Sequence, residues 1–376
     1  MNDVARLIPA VLVVVLLLHI RLHYHLTPQA LNWVLRATVY PSLSTVPATP
    51  RVLQQLHRLE ALHGDWALRW RMQNRPSPHV RPFIHERLCG QWVWQGRPKP
   101  PRGTVLYIHG GAFVLGSASQ YWMLTSRLAA LLPGWRVLAL DYRKAPTHPF
   151  PAALDDCVSA YRHLVRAKAH VILMGDSAGG NLAFATALHC LQQGLPAPLG
   201  VVGLAPWLDL GLAVHETISR AKATADPMLP AHRKDEAVLL YLKGTNCDQA
   251  GPPTVLPKIH NAGLPSFGGA DPCHPLVSPL RAANADLVCF PPVCIHVGTR
   301  DFLLQDATTF TKRLRACNPQ AVVDLRVWDG LPHVFQLFAP LVPEATDSLG
   351  EIAQFVRMSL QFQKTGGKNV VRKYIT

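Results

Sequence analysis

With 376 residues, 49% of them apolar and 16% charged, the chain suits one large α/β domain with a smaller lobe, and its composition excludes intrinsic disorder. The formal net charge is +14, but the Lys and Arg residues are scattered rather than interleaved with aromatic residues, so nucleic acid is not an expected partner. A solvated basic surface is favoured, and contact with anionic lipid is the functional alternative.

The N-terminal residues 1–25 predict a membrane anchor. The run from Leu7 to Leu18 is uncharged and, apart from Pro9, aliphatic, and no small-residue cleavage site follows it. We therefore expect an uncleaved signal anchor or a shallow membrane helix, with a single-pass location in the endoplasmic reticulum membrane. Because the run is short for a full span, a cleaved targeting peptide or a buried helix stays the alternative.

Residues 26–79 predict an amphipathic helical region with an aromatic face. Its apolar side chains recur partly at helical spacing: Leu53, Leu56, Leu59, Leu62, Trp66 and Trp70. Two roles fit this pattern, a lid over an apolar site or plain packing onto the main domain. We assign the region to an N-terminal cap.

The residues that follow predict a mostly parallel sheet. Residues 80–206 and 291–362 are expected to form the two parts of one α/β core, which begins with a hairpin around Cys89-Gly90. Six apolar runs separated by helical segments continue the core: Thr104–His109, Val137–Tyr142, Val171–Gly175, Val201–Ala205, Val293–Val297 and Val322–Trp328. Near-continuous apolar runs that alternate with helices indicate a sheet covered on both faces.

Two further segments interrupt or follow this core. Residues 207–290 are rich in Pro and Gly, include a predicted helix around Arg233–Lys243, and are most simply a cap insertion between two core strands. Residues 363–376 form a basic C-terminal tail. The eight cysteines contain no CxxC pair, so most are expected to be buried thiols, and a Cys247–Cys273 disulfide stays open if the domain is lumenal.

The motif Gly175-Asp-Ser-Ala-Gly179 predicts a nucleophile elbow. It lies between an apolar strand-like run and a helix rich in small residues, which is the strand–turn–helix context that lifts a serine hydroxyl out of a sheet. Without this context a GxSxG pattern is weak, because small residues fill many loops. Ser177 is therefore the candidate nucleophile.

A serine nucleophile also needs an oxyanion hole. His109-Gly-Gly-Ala112 directly follows a strand, and its glycines leave backbone N–H groups open to a developing oxyanion. Gly110 and Gly111 are the candidate donors, with the N–H of Ala178 as the third. The imidazole of His109 is expected to brace the loop.

The candidate base is His333 and the candidate acid is Asp301. Both follow core strands, in the order Ser, Asp, His that an α/β hydrolase requires. Asp306 is the alternative acid, unless it only complements a helix dipole. For the Asp155-Asp156 pair, a capping or dipole role is expected rather than acid–base work. No Walker loop, GxGxxG or HExxH motif is present, so no cofactor and no metal are expected.

Together these residues resemble the hormone-sensitive-lipase branch of the α/β hydrolases, with its arylacetamide-deacetylase-like and steryl-deacetylase-like enzymes. The resemblance covers roughly residues 100–340 and rests on His109–Ala112, Asp141–Pro146 with Phe150–Asp155, Gly175–Gly180, Pro206–Asp209, Ser278–Leu280, Gly298–Asp301 and His333–Phe335. It implies the α/β-hydrolase fold, with an eight-stranded, mostly parallel sheet, helices on both faces and a helical cap. Ala112 departs from the family's HGGG pattern, and its methyl group would narrow the acyl side of the pocket.

The resemblance also implies the role of each site residue: Ser177 is the nucleophile, Asp301 the orienting acid, His333 the base, and Gly110, Gly111 and Ala178 the oxyanion donors. It implies a cofactor-free serine esterase that works through an acyl-enzyme. The predicted N-terminal anchor beside an aromatic cap further suggests a membrane-associated enzyme whose ester substrates have a lipophilic alcohol part. The expected substrate is a short-acyl ester of a sterol or xenobiotic. A long-chain acylglycerol lipase and an acyltransferase with the same triad are alternatives, and a non-catalytic small-molecule receptor is the hypothesis from another class. The sequence gives no indication of the oligomeric state.

Overall fold

The computed structural model describes residues 27–29, 78–96, 101–211, 226, 228, 237–242 and 270–365. The predicted anchor over residues 1–25, nearly all of the predicted N-terminal cap and most of the predicted cap insertion lie outside the described residues. So do Cys247 and most of the predicted basic tail. No helix in the described ranges is both long enough and apolar enough to cross a membrane.

Eight strands form one sheet. They are β1 (His79–His85), β2 (Leu88–Trp94), β3 (Gly103–Ile108), β4 (Trp135–Asp141), β5 (Val171–Asp176), β6 (Gly200–Leu204), β7 (Val293–Gly298) and β8 (Val323–Trp328). The strand order is β1-β2-β4-β3-β5-β6-β7-β8. Strand β2 pairs antiparallel with β1 and with β4, and every other neighbouring pair is parallel. The predicted eight-stranded, mostly parallel sheet is therefore confirmed.

Helices cover both faces of the sheet. They are α1 (Trp122–Leu131), α2 (Ala152–Arg166), α3 (Ser177–Gln192), α4 (Asn284–Val288), α5 (Leu304–Cys317) and α6 (Pro343–Thr365). Buried side chains of α2, α3 and α5 pack against one face, and those of α1 and α6 pack against the other. Strands β3, β5, β6 and β7 are buried along their whole length, which explains why their sequences are continuous apolar runs rather than alternating ones.

The predicted hairpin exists, but its turn lies at Glu86-Arg87 and not around Cys89-Gly90. Gly90 is inside β2, where a Cβ atom would collide with the carbonyl oxygen of Ala139 on β4. Gly90 therefore allows β2 and β4 to approach each other closely and does not form a turn. Glu86 supplies the turn conformation, with a φ of 53°.

Asp156 is a buried ion-pair partner and not a helix cap. The residue is 1% exposed, and its carboxylate accepts two hydrogen bonds from the Arg143 guanidinium, each at 2.9 Å. The backbone N–H of Arg143 and the Nε of Arg87 also donate to it, at 2.9 and 3.1 Å. The carboxylate thereby fastens the β1–β2 turn and the loop after β4 to α2. Asp155 does lie in the first turn of α2, where the helix dipole favours a negative charge.

The seven described cysteines are all free thiols. Cys157, Cys190 and Cys294 are buried, Cys273 and Cys317 are half-buried, and Cys89 and Cys289 are exposed. The prediction that most cysteines are buried is therefore wrong for the described part of the chain. Two of the exceptions have a simple cause, because Cys89 lies on the edge hairpin and Cys289 follows the short helix α4.

Candidate active site

Ser177 sits at a sharp turn between β5 and α3. It is the first residue of α3, directly after the last residue of β5, and it has a φ of 53°. Such a left-handed conformation costs a non-glycine residue free energy and is retained where the surrounding structure fixes it. The turn packs so closely on β3 that a Cβ atom at Gly179 would collide with the carbonyl oxygens of Ile108 and His109. This is the strand–turn–helix context that the motif predicted.

His333 and Asp301 form a buried hydrogen-bonded pair. Nδ1 of His333 lies 2.9 Å from Oδ2 of Asp301, and the two residues are 5% and 0% exposed. The other oxygen of Asp301 accepts the backbone N–H of Leu303 at 2.8 Å, which fixes the carboxylate. Because Nδ1 is held by the carboxylate, Nε2 is the nitrogen that is left for proton transfer.

The electrostatic surroundings strengthen His333 as a base. Burial lowers the pKa of its imidazole, but the charge and hydrogen bond of Asp301, with the charges of Asp226 and Asp176, outweigh burial and raise the pKa above its usual value. Asp176 immediately precedes Ser177, so this influence also indicates that the imidazole lies near the elbow. The strengthened base suits the removal of a proton from a hydroxyl group.

Topology brings the three predicted residues to one edge of the sheet. Ser177 follows β5, Asp301 follows β7 and His333 follows β8, and these strands are parallel, so the carboxyl ends of all three point the same way. Asp301 and His333 are in direct contact. No hydrogen bond joins the Ser177 hydroxyl to His333 among those found for the described residues. A long or unaligned nucleophile–base contact is common before substrate binds.

The structure of the loop after β3 rules out one of the predicted oxyanion donors. The backbone N–H of Gly110 donates to Oδ1 of Asp176 at 2.9 Å, so it is not available to an oxyanion, and the prediction for Gly110 is wrong. The next two residues, Gly111 and Ala112, have φ angles of 116° and 54°. Their N–H groups, with that of Ala178 in the first turn of α3, are the remaining donors near the elbow.

Asp176 is a functional residue that the sequence analysis did not single out. It is 1% exposed and accepts hydrogen bonds from the hydroxyl groups of Tyr107 at 2.7 Å and Tyr121 at 2.8 Å, as well as from Gly110. Burial raises the pKa of Asp176, and the hydrogen bonds from Tyr107, Tyr121 and Gly110 oppose that rise. The sequence feature that could have identified Asp176 is its place in the motif, between Gly175 and Ser177.

His109 braces the same loop, as predicted. Its Nδ1 lies 2.7 Å from the carbonyl oxygen of Gly110, and its ring stacks on Tyr142 at a centroid distance of 4.4 Å. The Tyr142 hydroxyl donates to the His109 carbonyl oxygen at 3.0 Å. Burial lowers the pKa of His109 to about 3, so its imidazole is neutral and unsuited to the role of base.

Asp306 is not the orienting acid. It is fully buried in the first turn of α5, and its Oδ2 accepts the backbone N–H groups of Leu208 and Asp209 at 3.1 and 3.0 Å. This carboxylate braces the loop after β6. The carboxylate of Asp301 does contact His333, so Asp301 is the candidate for the acid role.

One described part of the predicted cap insertion contacts the loop after β3. This loop carries the candidate donors Gly111 and Ala112 and is called the oxyanion loop below. The helical residues 237–242 include Tyr241, whose ring stacks on Phe113 at a centroid distance of 3.8 Å and an interplanar angle of 9°. The Tyr241 carbonyl oxygen also accepts the backbone N–H of Phe150 at 2.7 Å. Phe113 directly follows Ala112, so the packing of this helix bears on the position of the loop.

Two groups of side chains with metal-ligating atoms occur among the described residues. One combines Cys294, His296 and Asp324, and the other combines Asp226, Asp301 and His333. In the first group, Nδ1 of His296 already lies 2.9 Å from Ser348 Oγ and 3.2 Å from Trp328 Nε1. In the second group, His333 uses Nδ1 for its hydrogen bond with Asp301, an arrangement that suits proton transfer.

Comparisons with known proteins place the chain in a family. A family model described as alpha/beta hydrolase fold matches residues 105–267 and 252–337, which together exceed half of the chain. A solved structure of an esterase from the bacterial hormone-sensitive lipase family is similar, with a TM-score of 0.66 and 30% sequence identity over 84% of this chain and 94% of that one. The chain belongs to the hormone-sensitive-lipase family of α/β hydrolases.

Two curated relatives of the chain are hydrolases. An acetyl-hydrolase of Streptomyces hygroscopicus is 35% identical over 274 residues, which cover 71% of this chain and 79% of the relative. A carboxylesterase/phospholipase, LipF of Mycobacterium tuberculosis, is 36% identical over 261 residues, which cover 68% of this chain and 61% of the relative. The chain thus spans less than two thirds of the second relative. The predicted enzyme class, a carboxylic ester hydrolase, is confirmed.

Proposed function

We propose that this hydrolase cleaves short-acyl esters of lipophilic alcohols through a serine acyl-enzyme. The observation that carries the proposal is the buried contact of 2.9 Å between His333 Nδ1 and Asp301 Oδ2, at the sheet edge where the Ser177 elbow also lies. A receptor that only binds a ligand has no need of such a pair, so the non-catalytic hypothesis is disfavoured.

In the first half of the reaction, the Ser177 Oγ attacks the ester carbonyl carbon while Nε2 of His333 takes the hydroxyl proton. The negative charge that forms on the carbonyl oxygen is stabilised by the N–H groups of Gly111, Ala112 and Ala178. When the carbon–oxygen bond breaks, His333 returns the proton to the departing alkoxide. The alcohol leaves, and the acyl group stays on Ser177.

In the second half, water replaces the alcohol. His333 takes a proton from the water as it attacks the acyl carbonyl, and the same backbone donors stabilise the second oxyanion. Collapse of this intermediate transfers the proton to Ser177 Oγ and releases the carboxylic acid. Asp301 stays ionised throughout, orients the imidazole and stabilises the imidazolium in both halves.

The short acyl group is proposed from Ala112. Its methyl group lies in the oxyanion loop, where the family usually has a third glycine, and so reduces the space beside the acyl carbon. The Streptomyces relative, an acetyl-hydrolase, is in keeping with this proposal. The lipophilic alcohol is proposed from the aromatic composition of residues 26–79 together with the apolar N-terminal run.

Residues 1–25 are proposed to hold the enzyme at a membrane, and residues 26–79 and 207–290 to cover the site. The comparisons give no support to the predicted location in the endoplasmic reticulum, so that location is not part of this proposal. Deletion of residues 1–25 should release the enzyme from sedimented membranes in washed extracts. Continued sedimentation of the shortened enzyme would place the membrane contact elsewhere, for example on the basic surface.

The catalytic proposal is tested by hydrolysis of p-nitrophenyl esters from acetate to palmitate. We expect the highest kcat/KM on acetate and butyrate, and the loss of turnover in Ser177→Ala with unchanged folding by circular dichroism. Ser159→Ala, which removes the hydroxyl of a half-buried serine on α2, is the matched control and should keep full activity. A preference for palmitate would favour the lipase alternative, and undiminished turnover by Ser177→Ala would refute the assignment of the nucleophile.

A further inference from the structure

A third acidic residue, Asp226, lies against the His333–Asp301 pair. It belongs to the segment between β6 and β7, outside every motif discussed above, and it is 6% exposed. Ligating atoms of Asp226, Asp301 and His333 all lie within 4.8 Å of one another. A buried carboxylate at this distance from an imidazole affects the free energy of protonating that imidazole.

Hydrogen bonds tie Asp226 to the loop that carries the acid. Its Oδ2 faces the backbone N–H of Phe302 at 3.4 Å, and Phe302 directly follows Asp301. Its Oδ1 accepts the backbone N–H of Met228 at 2.8 Å, which fixes the carboxylate within its own segment. Asp301 is itself held by the N–H of Leu303. Neighbouring backbone groups of one short loop therefore hold both carboxylates.

We propose that Asp226 is a positioning residue of the hydrolase: it fixes the Asp301 loop from the predicted cap insertion and places a second negative charge beside the His333 imidazole. This inference rests on the proposed function, because it assigns a role to Asp226 through the base of that reaction. Asp226 need not touch the substrate to act in this way.

The charge balance explains why such an arrangement favours catalysis. In the resting enzyme, the buried carboxylate of Asp301 disfavours the ionised form of Asp226. When His333 takes the Ser177 proton, the positive imidazolium forms next to both. The attraction is therefore largest in the proton-transfer step, so the second carboxylate stabilises the transition state more than the ground state.

Asp226 carries its negative charge above its own pKa, so the charge is complete at the alkaline plateau where kcat is compared. Burial and then the charge of Asp301 raise the pKa of Asp226 to about 7, while the positive form of His333 opposes the rise. Asp301, Asp226 and Asp176 all raise the pKa of His333 against burial. These are the charged groups that act on His333 and Asp226 within the described residues.

The test is the pH dependence of kcat/KM for p-nitrophenyl acetate, measured on the full chain with wild type and Asp226→Asn. Asparagine keeps the size of the side chain and removes the charge. We expect the acidic midpoint to move to lower pH by about half a unit or more, because the pKa of His333 falls when a nearby negative charge is lost. We also expect kcat at the alkaline plateau to fall about threefold to thirtyfold.

Asp306→Asn is the matched control. It also replaces a buried carboxylate that accepts two backbone N–H groups, but one that is not among the charges acting on His333. Its acidic midpoint should equal that of the wild type, whatever happens to its stability. A role of Asp226 in folding alone would lower activity uniformly and leave the midpoint in place, and that outcome would overturn the proposal.

Two more measurements separate the possible failures. If Asp226→Asn does not fold, Asp226→Ser removes the charge with a smaller side chain, and the same shift of the midpoint is expected. Ser177→Ala is assayed in parallel. If it is inactive and the Asp226 variants keep the wild-type midpoint, the inference on Asp226 alone is wrong. If Ser177→Ala keeps turnover, the proposed function itself is wrong.

Discussion

The backbone N–H of Gly110 lies 2.9 Å from Oδ1 of Asp176, so the residue before the nucleophile holds the loop that faces it. The Asp176 carboxylate is fixed in turn by the hydroxyl groups of Tyr107 and Tyr121. The nucleophile elbow and the loop after β3 are therefore joined by one buried acceptor. This link sets the distance between Ser177 and the remaining N–H donors.

Replacement of Asp176 by Asn should reduce both stability and turnover. An amide has one acceptor oxygen, so at least one of the three donors to Asp176 loses its partner, at a cost of about 1–3 kcal/mol in the free energy of unfolding. We expect kcat on p-nitrophenyl acetate to fall about tenfold to a hundredfold as the loop loses its fixed position. Urea unfolding and steady-state kinetics measure the two effects.

Tyr121→Phe is the control for this substitution. It removes one donor and leaves the carboxylate with Tyr107 and Gly110, so its effects should be smaller than those of Asp176→Asn. Equal losses of kcat in the two variants would show that the bond to Tyr121 alone, and not the shared carboxylate, fixes the loop.

The activity of the wild-type enzyme should fall as the pH decreases through a value above 6.5. His333 acts as a base only when it is neutral, and its pKa is raised from 6.5 because the charges of Asp301, Asp226 and Asp176 outweigh burial. A raised pKa keeps the imidazole protonated, and so inactive, to a higher pH. Asp301→Asn should lower the midpoint and reduce kcat about a thousandfold to ten-thousandfold, because the negative charge is lost and an amide N–H can face Nδ1, which favours the wrong imidazole tautomer. A wild-type midpoint well below 6.5, read from a kcat/KM profile, would contradict this account.

Ala112→Gly should widen acyl specificity without loss of stability. The φ of 54° at Ala112 costs an alanine about 1–2 kcal/mol, and glycine removes that cost while losing about 0.5–1 kcal/mol through its greater freedom in the unfolded chain. We expect a net gain of up to about 1.5 kcal/mol and a rise of about threefold to tenfold in the hexanoate-to-acetate ratio of kcat/KM.

Ala160→Gly is the matched control for this prediction. Ala160 lies in the interior of α2, where glycine should cost about 1 kcal/mol and leave the ester profile unchanged. If both variants lose stability equally, the positive φ of Ala112 is not a source of strain. Urea unfolding and the ester series provide the two measurements.

The ion pair of Asp156 with Arg143 should contribute more to the free energy of unfolding than the ion pair of Asp156 with the exposed Arg87. Asp156→Ala leaves the partly solvated Arg143 guanidinium without its carboxylate partner and with the Ala152 carbonyl oxygen as its remaining acceptor, and we expect a loss of about 2–4 kcal/mol in the free energy of unfolding. Arg87→Ala should cost less than about 1 kcal/mol, because 55% of the Arg87 side chain is exposed. Urea unfolding compares the two variants, and a larger loss for Arg87→Ala would contradict the assignment of Arg143 as the main partner.

The elements that the sequence predicted correctly depend on local pattern. The elbow at Ser177 follows from an apolar run beside small residues, and the buried strands follow from continuous apolar stretches. The errors involve residues far apart in the chain. Gly110 is unavailable as a donor because of Asp176, and Gly90 is a glycine because of the Ala139 carbonyl oxygen rather than a turn. Asp226 has no recognisable motif around it, so only the fold brings it to His333.

Under the proposed function, the stacking of Tyr241 on Phe113 ties substrate choice to turnover. Phe113 follows Ala112 in the oxyanion loop, and Tyr241 belongs to the predicted cap insertion, so a change in one shifts the packing of the other. Grafting residues 207–290 from a relative would then alter the rate of the chemical step along with the range of esters accepted. An engineer who wants a new substrate for this enzyme should therefore exchange the cap and the loop after β3 together.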